Sequence, residues 1–410
     1  MKRDIIIVGG GIIGLMTAYH LRELGREVCV IDKSDISSGT SFGNAGLISP
    51  FKKNPLSYPG VISDTLKLIL KGESPLSIHP TLNPMLYRWL WNFVRSANKN
   101  RLERTLALFE KYGERSLNIY QNLNQLDEFN FHLMSNGLLM VYTEEKSFQK
   151  KKEHAQDSEN FAIYTPEETL DFAPFLNKKI KGSVLLKENA SLDPGLLMRQ
   201  MKEYLLKSGV EFILNEEITK LEFQNNQLSK LISKKSRYEA EQIVLATGAN
   251  STLAKQADNN YIMTPAKGYS ITFEMEDALK PKVALLFPDL FIAMTPREKS
   301  VRLTSKLELG AKAGLNRKQL NSILENLRKY SIEFTINESE EWFGFRPLTP
   351  NDIPILGYDK KYKNLIHANG LGWLGITFAP AIGEIVTNLI TKEKENAKSD
   401  DILLFSSFYQ

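Results

Sequence analysis

The apolar positions of this chain follow two periods, and the switches between them mark its elements. Ile5-Ile6-Ile7-Val8 is an unbroken β-branched run, which predicts a strand buried on both faces. A helical spacing follows through Met16, Ala18, Tyr19, Leu21 and Leu24 and stops at Gly25, a natural helix terminator. Val28-Cys29-Val30-Ile31 is a second buried strand. Far downstream, Asp193-Pro194-Gly195 opens another helical pattern (Leu196, Leu197, Met201, Tyr204, Leu205) that ends near Gly209. A strand over 210–214 comes next, then a hairpin, 218–223 with 228–233, around the polar turn Gln224-Asn225-Asn226-Gln227. Residues 241–246 read as one more buried strand. Between these, 138–143, 183–187, 269–274 and 301–309 read as strands of a different, half-exposed sheet. Residues 101–126 form a long amphipathic helical pattern, and 379–390 a final helix. The expected class is therefore α/β, with buried-strand segments at the start, middle and end interrupted twice by a second domain.

Composition narrows the function. A chain of 410 residues buries a large core and is long enough for two domains. Its 52 basic and 48 acidic side chains are scattered, which gives no basic patch for nucleic acid. The single cysteine, Cys29, excludes an internal disulfide, a cysteine-rich metal site and a CxxC pair, and its strand position predicts a buried core residue. Met1-Lys2-Arg3 before an apolar run has the start of a signal peptide, but three glycines end that run after a strand's length. No stretch is expected to reach the ~18–20 apolar residues that span a bilayer.

The chemistry begins where the first strand ends. Gly9-Gly10-Gly11-Ile12-Ile13-Gly14 fits G-x-G-x-x-G between a strand and a helix, and the second strand ends on Asp32. Gly9 permits the tight turn, Gly11 lets a pyrophosphate approach the backbone, and Gly14 lets the helix pack close to the strand. The helix start offers free N–H groups and its positive dipole end to phosphates. Asp32 stands near the ~20-residue distance at which an acid meets a ribose hydroxyl. A dinucleotide site is expected.

Further segments carry a resemblance. With the first unit, Ser41-Phe42-Gly43-Asn44-Ala45-Gly46, Ala246-Thr247-Gly248-Ala249, Gly344-Phe345-Arg346-Pro347-Leu348-Thr349-Pro350 and Ile353-Pro354-Ile355-Leu356-Gly357 resemble the FAD-dependent D-amino acid oxidase superfamily. Pro265-Ala266-Lys267-Gly268-Tyr269-Ser270 and Gly370-Leu371-Gly372-Trp373-Leu374-Gly375 are similar to the bacterial D-amino acid dehydrogenase group within it (catalytic subunit). The resemblance covers nearly the whole chain. It implies a discontinuous Rossmann-type FAD-binding domain (1–60, 190–262 and 345–410) and an α+β substrate domain built on an antiparallel sheet (61–189 and 263–344). It implies noncovalent FAD, since no histidine or cysteine stands where covalent attachment would be obvious. Gly9, Gly11, Ile12, Ile13 and Gly14 would face the pyrophosphate, Asp32 and Lys33 the adenosine ribose, and Val210 the adenine. Thr40 and Ser41 would supply hydroxyls near the phosphates. Asn44, Ala45, Gly46, Leu47 and Ile48 would run beside the flavin ring, with Ala246, Thr247 and Gly248 completing the cradle. Gly370, Gly372, Trp373, Leu374, Gly375, Ile376 and Thr377 would close the site, and their N–H groups would stabilise charge at the flavin's N1–O2 edge.

Arg346, Gly372 and Trp373 are the catalytic candidates. The guanidinium of Arg346 matches a carboxylate bidentately, and the resemblance places it over the flavin as the clamp for an α-carboxylate; the competing reading is a pair with Asp352. Related oxidases often place a tyrosine near that carboxylate, but Leu290-Phe291-Ile292-Ala293-Met294 carries none, and Tyr269 is either a substitute or a sheet residue. Lys267 sits above the flavin or is a solvated strand-end lysine. His79 and His367 are read as structural. The implied reaction is oxidation of the Cα–N bond of a D-amino acid, or of a cyclic imino acid such as D-proline or hydroxyproline, with hydride transfer to flavin N5. The alternatives are a glycine- or sarcosine-type amine oxidase using O2 and a non-catalytic flavoprotein subunit of an electron-transfer complex. The expected partners are a small-molecule amino acid and an electron acceptor, membrane quinone or O2; the oligomeric state is left open. Tyr58 to Arg95 interleaves Tyr87, Trp89, Trp91 and Phe93 with Arg88 and Arg95, and Leu68, Ile69, Leu70 and Lys71 precede them. It reads either as a helix packed on the substrate domain or as a peripheral membrane contact. The expected location is cytoplasmic, with peripheral contact to the inner face of the cell membrane as the second possibility.

Overall fold

The structure, a computed structural model, describes residues 2–36, 38–50, 55–61, 76–156, 158–250, 252–257 and 261–391. Leu68 to Lys71 and the end of the third expected FAD stretch lie outside them.

Five parallel strands form the first sheet in the order Leu365–Asn369, Ala240–Leu245, Arg3–Val8, Val28–Ile31, Glu211–Ile213, and Ile355–Tyr358 pairs antiparallel at one edge. The register sets Ile5 beside Val28 and Ile6 beside Ile243. The first two runs are wholly buried because both faces are covered. Ile5, Ile7, Val28 and Val30 pack toward the helices, and Ile6, Val8, Cys29 and Ile31 toward the three-stranded sheet Ile218–Gln224, Gln227–Ser233, Arg237–Tyr238. The predicted hairpin is thus a lid on one face of the FAD sheet.

The second sheet runs Ser339–Leu348, Thr264–Glu274, Ser300–Leu309, Ile292–Pro296, Ala284–Phe287, Leu138–Tyr142, Gly182–Leu186, Phe161–Tyr164. It is largely antiparallel, with Leu138–Tyr142 parallel to Ala284–Phe287 and Leu76–Ile78 parallel to Ser300–Leu309. The strands expected to be half-exposed are instead largely buried on both faces. Leu139, Val141, Leu285 and Leu303 pack under the helix Arg317–Arg328, while Leu138, Val184, Ala284 and Ala293 pack on the opposite side with Leu47. Two features cross the expected domain limits. The helix Lys99–Leu123 shares its core with the FAD sheet, and the strand Ser339–Leu348 runs through residue 345 without a break.

The helix Gly375–Thr391 corrects a second expectation. With the turn before it, Gly372–Thr391 is long and apolar enough to cross a membrane, yet most of it is buried in the core. It is apolar all round because Ile12–Glu23, Lys99–Leu123 and strands of the first sheet pack against it. Against Ile12–Glu23 the approach is so close that a Cβ on Gly383 would lie 2.7 Å from the Met16 carbonyl carbon. Pro380 has no N–H to give the Ile376 carbonyl one turn back. The fully buried Tyr120 hydroxyl donates to that carbonyl at 2.8 Å instead. Tyr120→Phe leaves it unsatisfied and is expected to destabilise the fold by about 1–3 kcal/mol, read from urea unfolding of the apoprotein; an unchanged midpoint refutes the pairing.

Candidate active site

Three cavities lie end to end where the parallel strands finish. The first, about 370 Å³, is bounded by Gly9, Asp32, Lys33, Thr247 and Trp342. The second, about 80 Å³, lies between Ile12, Ile13, Gly372, Gly375 and Ile376 and shares Gly11, Thr40, Ser41, Ala246 and Gly248 with the first. The third, about 480 Å³, is reached past Asn44 and is walled by Ala45, Leu47, Arg346, Trp373 and Thr377 with an apolar surround. An elongated dinucleotide with a ring at one end fits this shape.

The glycines do what their spacing implied. Gly9 has φ +112°, and a Cβ there would lie 2.3 Å from the Ala246 oxygen. A Cβ on Gly14 would lie 1.9 Å from the Gly9 oxygen, so this glycine brings helix onto strand. Gly11 is open to the cavity: its Cβ would meet only Ser41 Oγ, at 3.5 Å. Ser41 Oγ accepts the Ile12 N–H at 3.0 Å, and the next two N–H groups, of Ile13 and Gly14, precede the first helical bond, from Leu15 N to the Gly11 carbonyl. These features fit the phosphates of FAD. Asp32 accepts from Gly10 N at 2.6 Å and from Ser34 N and Oγ at 2.7 and 2.8 Å, which fixes it on the wall of the first cavity.

Some expected contacts stand behind the walls. Gly46, Ile48, Gly370 and Leu374 support the lining without joining it: a Cβ on Gly46 would lie 2.0 Å from the Leu192 oxygen, and Ile48 and Leu374 are core residues. Val210 is corrected. It is buried in the core beside the helix Pro194–Lys207, and the chain reaches the first cavity later, at Glu216, Glu217 and Ile218. Thr40 spends its hydroxyl proton on the Phe345 carbonyl, 2.9 Å away, tying the phosphate loop to the second sheet.

Two residues that sequence reasoning missed hold the flavin loop. The Trp342 indole lies between the backbones of Gly43 and Gly344, where added Cβ atoms would stand 2.3 and 2.0 Å from its ring, and its N–H donates to the Ser38 carbonyl at 3.0 Å. Arg302 is fully buried; its guanidinium donates to Phe42 O at 2.5 Å and to Thr272 Oγ1 at 2.9 Å and pairs with Glu340 at 3.8 Å. Burial pushes its pKa down to about 10. The readable signal was an arginine between Val301 and Leu303 in an otherwise apolar strand.

Arg346 reaches the third cavity from a built seat. Its guanidinium lies across Gly268, where a Cβ would be 2.0 Å from Nη1, and Nη1 donates to the Lys306 carbonyl at 3.0 Å. Lys306 stands in a β-bulge with φ +68°, which turns that carbonyl toward the arginine. Burial pushes the Arg346 pKa down to about 10, still charged at neutral pH. No carboxylate pairs with it among the described residues. Asp352, the alternative partner, instead accepts from Leu56 N and, at 3.2 Å, from Trp373 Nε1. Burial raises the Asp352 carboxyl to about 7.

The remaining candidates fall away from the cavity. The Lys267 ammonium donates to the Lys312 carbonyl at 2.9 Å and lies between the Tyr269 and Phe343 rings, so it is not solvated, and it lines none of the three cavities. Tyr269 is a buried sheet residue donating to Glu308 at 2.7 Å, and burial raises its pKa. His367 pairs with Asp359 at 2.8 Å inside the fold, and His79 faces Glu308 at 3.7 Å. The tyrosine that does line the third cavity is Tyr58, with Trp89 and Phe93 of the helix Pro84–Ser96.

The model of the FAD-dependent oxidoreductase family known as DAO matches residues 4–389. A D-amino acid dehydrogenase of Helicobacter pylori is 53% identical over 411 residues, covering 100% of both chains. Among solved structures, glycine oxidase from Bacillus cereus superposes with a TM-score of 0.73 at 19% identity, covering 97% of this chain and 100% of that one. Glycine oxidase from Geobacillus kaustophilus gives 0.75 at 17% identity, over 96% and 95%. At those identities the likeness speaks for the fold: a parallel FAD sheet beside a largely antiparallel one. Family match, fold and phosphate-binding turn agree, and the chain belongs to the DAO family of FAD-dependent oxidoreductases.

Proposed function

We propose that this protein is a D-amino acid dehydrogenase that holds its substrate by the carboxylate at Arg346. The observation that carries the reading is the seated, charged guanidinium, unpaired with any carboxylate among the described residues and facing an apolar cavity. The full-length relative from Helicobacter pylori supports the reaction and the chirality. A planar fork grips a carboxylate with two N–H donors and fixes the direction of Cα. Leu56, Val61, Trp89, Phe93, Leu286 and Leu307 then surround the side chain, which favours apolar amino acids and cyclic ones over charged ones.

FAD, when bound, takes up the two electrons and the hydrogen that leave Cα. The nitrogen lone pair must be free to form the imine. Among the described residues the charged ones on the third cavity's wall, Arg346 and Lys306, are cations, and they disfavour an ammonium beside them. Thr377 donates to the Leu47 carbonyl at 3.2 Å and holds the start of the helix Gly375–Thr391 against the flavin loop. The helix N-terminus adds positive potential at the second cavity. Positioning and charge supply the catalysis, and the reading assigns no side-chain base.

The electron acceptor is assigned to a membrane quinone. The helix Pro84–Ser96 is two-faced: Leu86 and Trp89 are buried, whereas Tyr87, Trp91 and Val94 are exposed at helical spacing, beside exposed Arg88 and Arg95. An aromatic stripe flanked by arginines suits an anionic bilayer interface, which supports a peripheral position on the inner membrane face as part of the proposal.

Arg346→Leu is expected to keep FAD, measured by flavin absorbance, and to raise the amino-acid KM about 10- to 100-fold, the loss of one charged pair of hydrogen bonds. Gly268→Ala keeps the guanidinium but displaces it from its seat, so KM should rise with FAD content unchanged; normal kinetics in both variants would sink the assignment. Anaerobic flavin bleaching by D-alanine, D-phenylalanine and D-proline, and by none of the L-enantiomers, tests the chirality. Holoenzyme should float with anionic liposomes, and Tyr87→Ser/Trp91→Ser should stay at the bottom of the gradient. Wild-type protein that stays there too ends the membrane reading.

A further inference from the structure

We infer that the Asp352 carboxylate is a positioning residue that clamps two walls of the substrate cavity together, the segment 55–61 through the Leu56 N–H and the closing loop through the Trp373 indole N–H. The inference rests on the third cavity being the substrate site.

Asp352 is 4% exposed and adopts φ +58°, a left-handed conformation that costs an L-residue energy unless its surroundings hold it there. Its two oxygens divide the work. Oδ2 accepts from Leu56 N, and Oδ1 accepts from Trp373 Nε1 at 3.2 Å. Among the described residues no cation pairs with it. A buried carboxyl held only by neutral donors is poor material for stability alone, because its desolvation is only partly repaid. What it achieves is geometric. The two donors are far apart in sequence, and both residues line the third cavity. Tyr58 and Val61, two residues and five residues beyond Leu56, line it as well. The clamp therefore fixes one wall carrying a tyrosine hydroxyl and another carrying an indole. A Cβ on Gly372, next to Trp373, would come within 3.9 Å of Oδ1, so the carboxylate sits directly behind the closing loop. Ile353 N, the next residue, is held by Asn351 Oδ1 at 3.3 Å, which stiffens the turn that presents the carboxylate.

The test uses holoenzyme with Asp352→Asn, a substitution of nearly equal size. An amide can accept one N–H but must turn its own NH2 toward the other donor. The expected result is a KM at least about 10-fold higher with kcat within about threefold. Amide hydrogen exchange should accelerate in peptides covering 55–61 and 371–375, with peptides from Arg3–Val8 unchanged. If the variant does not fold, Trp373→Phe removes one donor and keeps a ring, and exchange should then accelerate in 371–375. The proposal is overturned by unchanged exchange in those peptides, or by exchange that rises uniformly while KM and FAD content move with stability. A normal Arg346→Leu variant would instead overturn the substrate site itself, so the two failures are distinguishable.

Discussion

Arg302 joins the two halves of this molecule, and the geometry of the active site depends on it. Taking a guanidinium fully out of water is expensive, and a single carboxylate at 3.8 Å does not offset it. The compensation comes from the backbone of the flavin loop. Arg302 donates to Phe42 O and stacks over the Phe42 ring at 5.4 Å, Thr295 Oγ1 donates to Ala45 O at 2.7 Å, and Leu192 N donates to Gly46 O at 2.9 Å. Four contacts at three residues, Phe42, Ala45 and Gly46, hold that loop. Arg302, Thr272 and Glu340 lie side by side across three strands, so the arginine is itself held by sheet register. The loop that would run beside the flavin is therefore fixed by the substrate sheet and not by the FAD sheet alone.

That same sheet carries Arg346, and if Arg346 holds the substrate as proposed, the distance between cofactor and substrate is a property of strand pairing. Thr264–Glu274 sits between Ser339–Leu348 and Ser300–Leu309. Pairing jumps from Tyr269 with Ser305 to Lys267 with Glu308, so Lys306 and Leu307 together oppose Gly268. The bulge needs a left-handed residue, Lys306, and the missing side chain of Gly268 makes the space that the guanidinium occupies. Neither residue has to touch the substrate. Their joint effect is to hold a long, entropically free side chain in one place, so that less order is lost when a carboxylate arrives.

The fold was legible wherever one face of an element could be inferred from its own pattern. The first strand–turn–helix–strand unit, the hairpin and the long helix all stand where periodicity put them, within a few residues. Half-exposure of the second sheet was misread because Ser, Thr and Arg at alternate positions look solvated in one dimension. In three dimensions Thr295, Arg302 and Thr304 face the FAD half and are buried by it. Burial supplied by another domain is not encoded in the strand that receives it. Gly372–Thr391 failed in the opposite direction: its apolar length comes from burial between two helices and the strands of the first sheet, which local counting around Pro380 and Gly383 concealed.

The two parts of the site were unequally legible for a physical reason. The cofactor site is built mostly of backbone. Gly9 against Ala246, and Gly14 against Gly9, are contacts in which any Cβ would collide, and a requirement for no side chain is written directly in the sequence as glycine spacing. The third cavity, the proposed substrate site, is built of side chains from segments hundreds of residues apart: Tyr58, Trp89, Phe93, Leu286, Lys306 and Arg346. An aromatic or leucine there is indistinguishable in one dimension from core. Only Arg346 stood out, as a charge between Phe345 and Pro347 in a segment that carries the family resemblance. Dinucleotide binding is thus constrained tightly by local sequence, while the proposed substrate site rests on a wall that can be rebuilt residue by residue without disturbing the turn at Gly9 to Gly14. Within one fold the phosphate-binding turn is fixed by backbone, and the proposed substrate site is left to side chains.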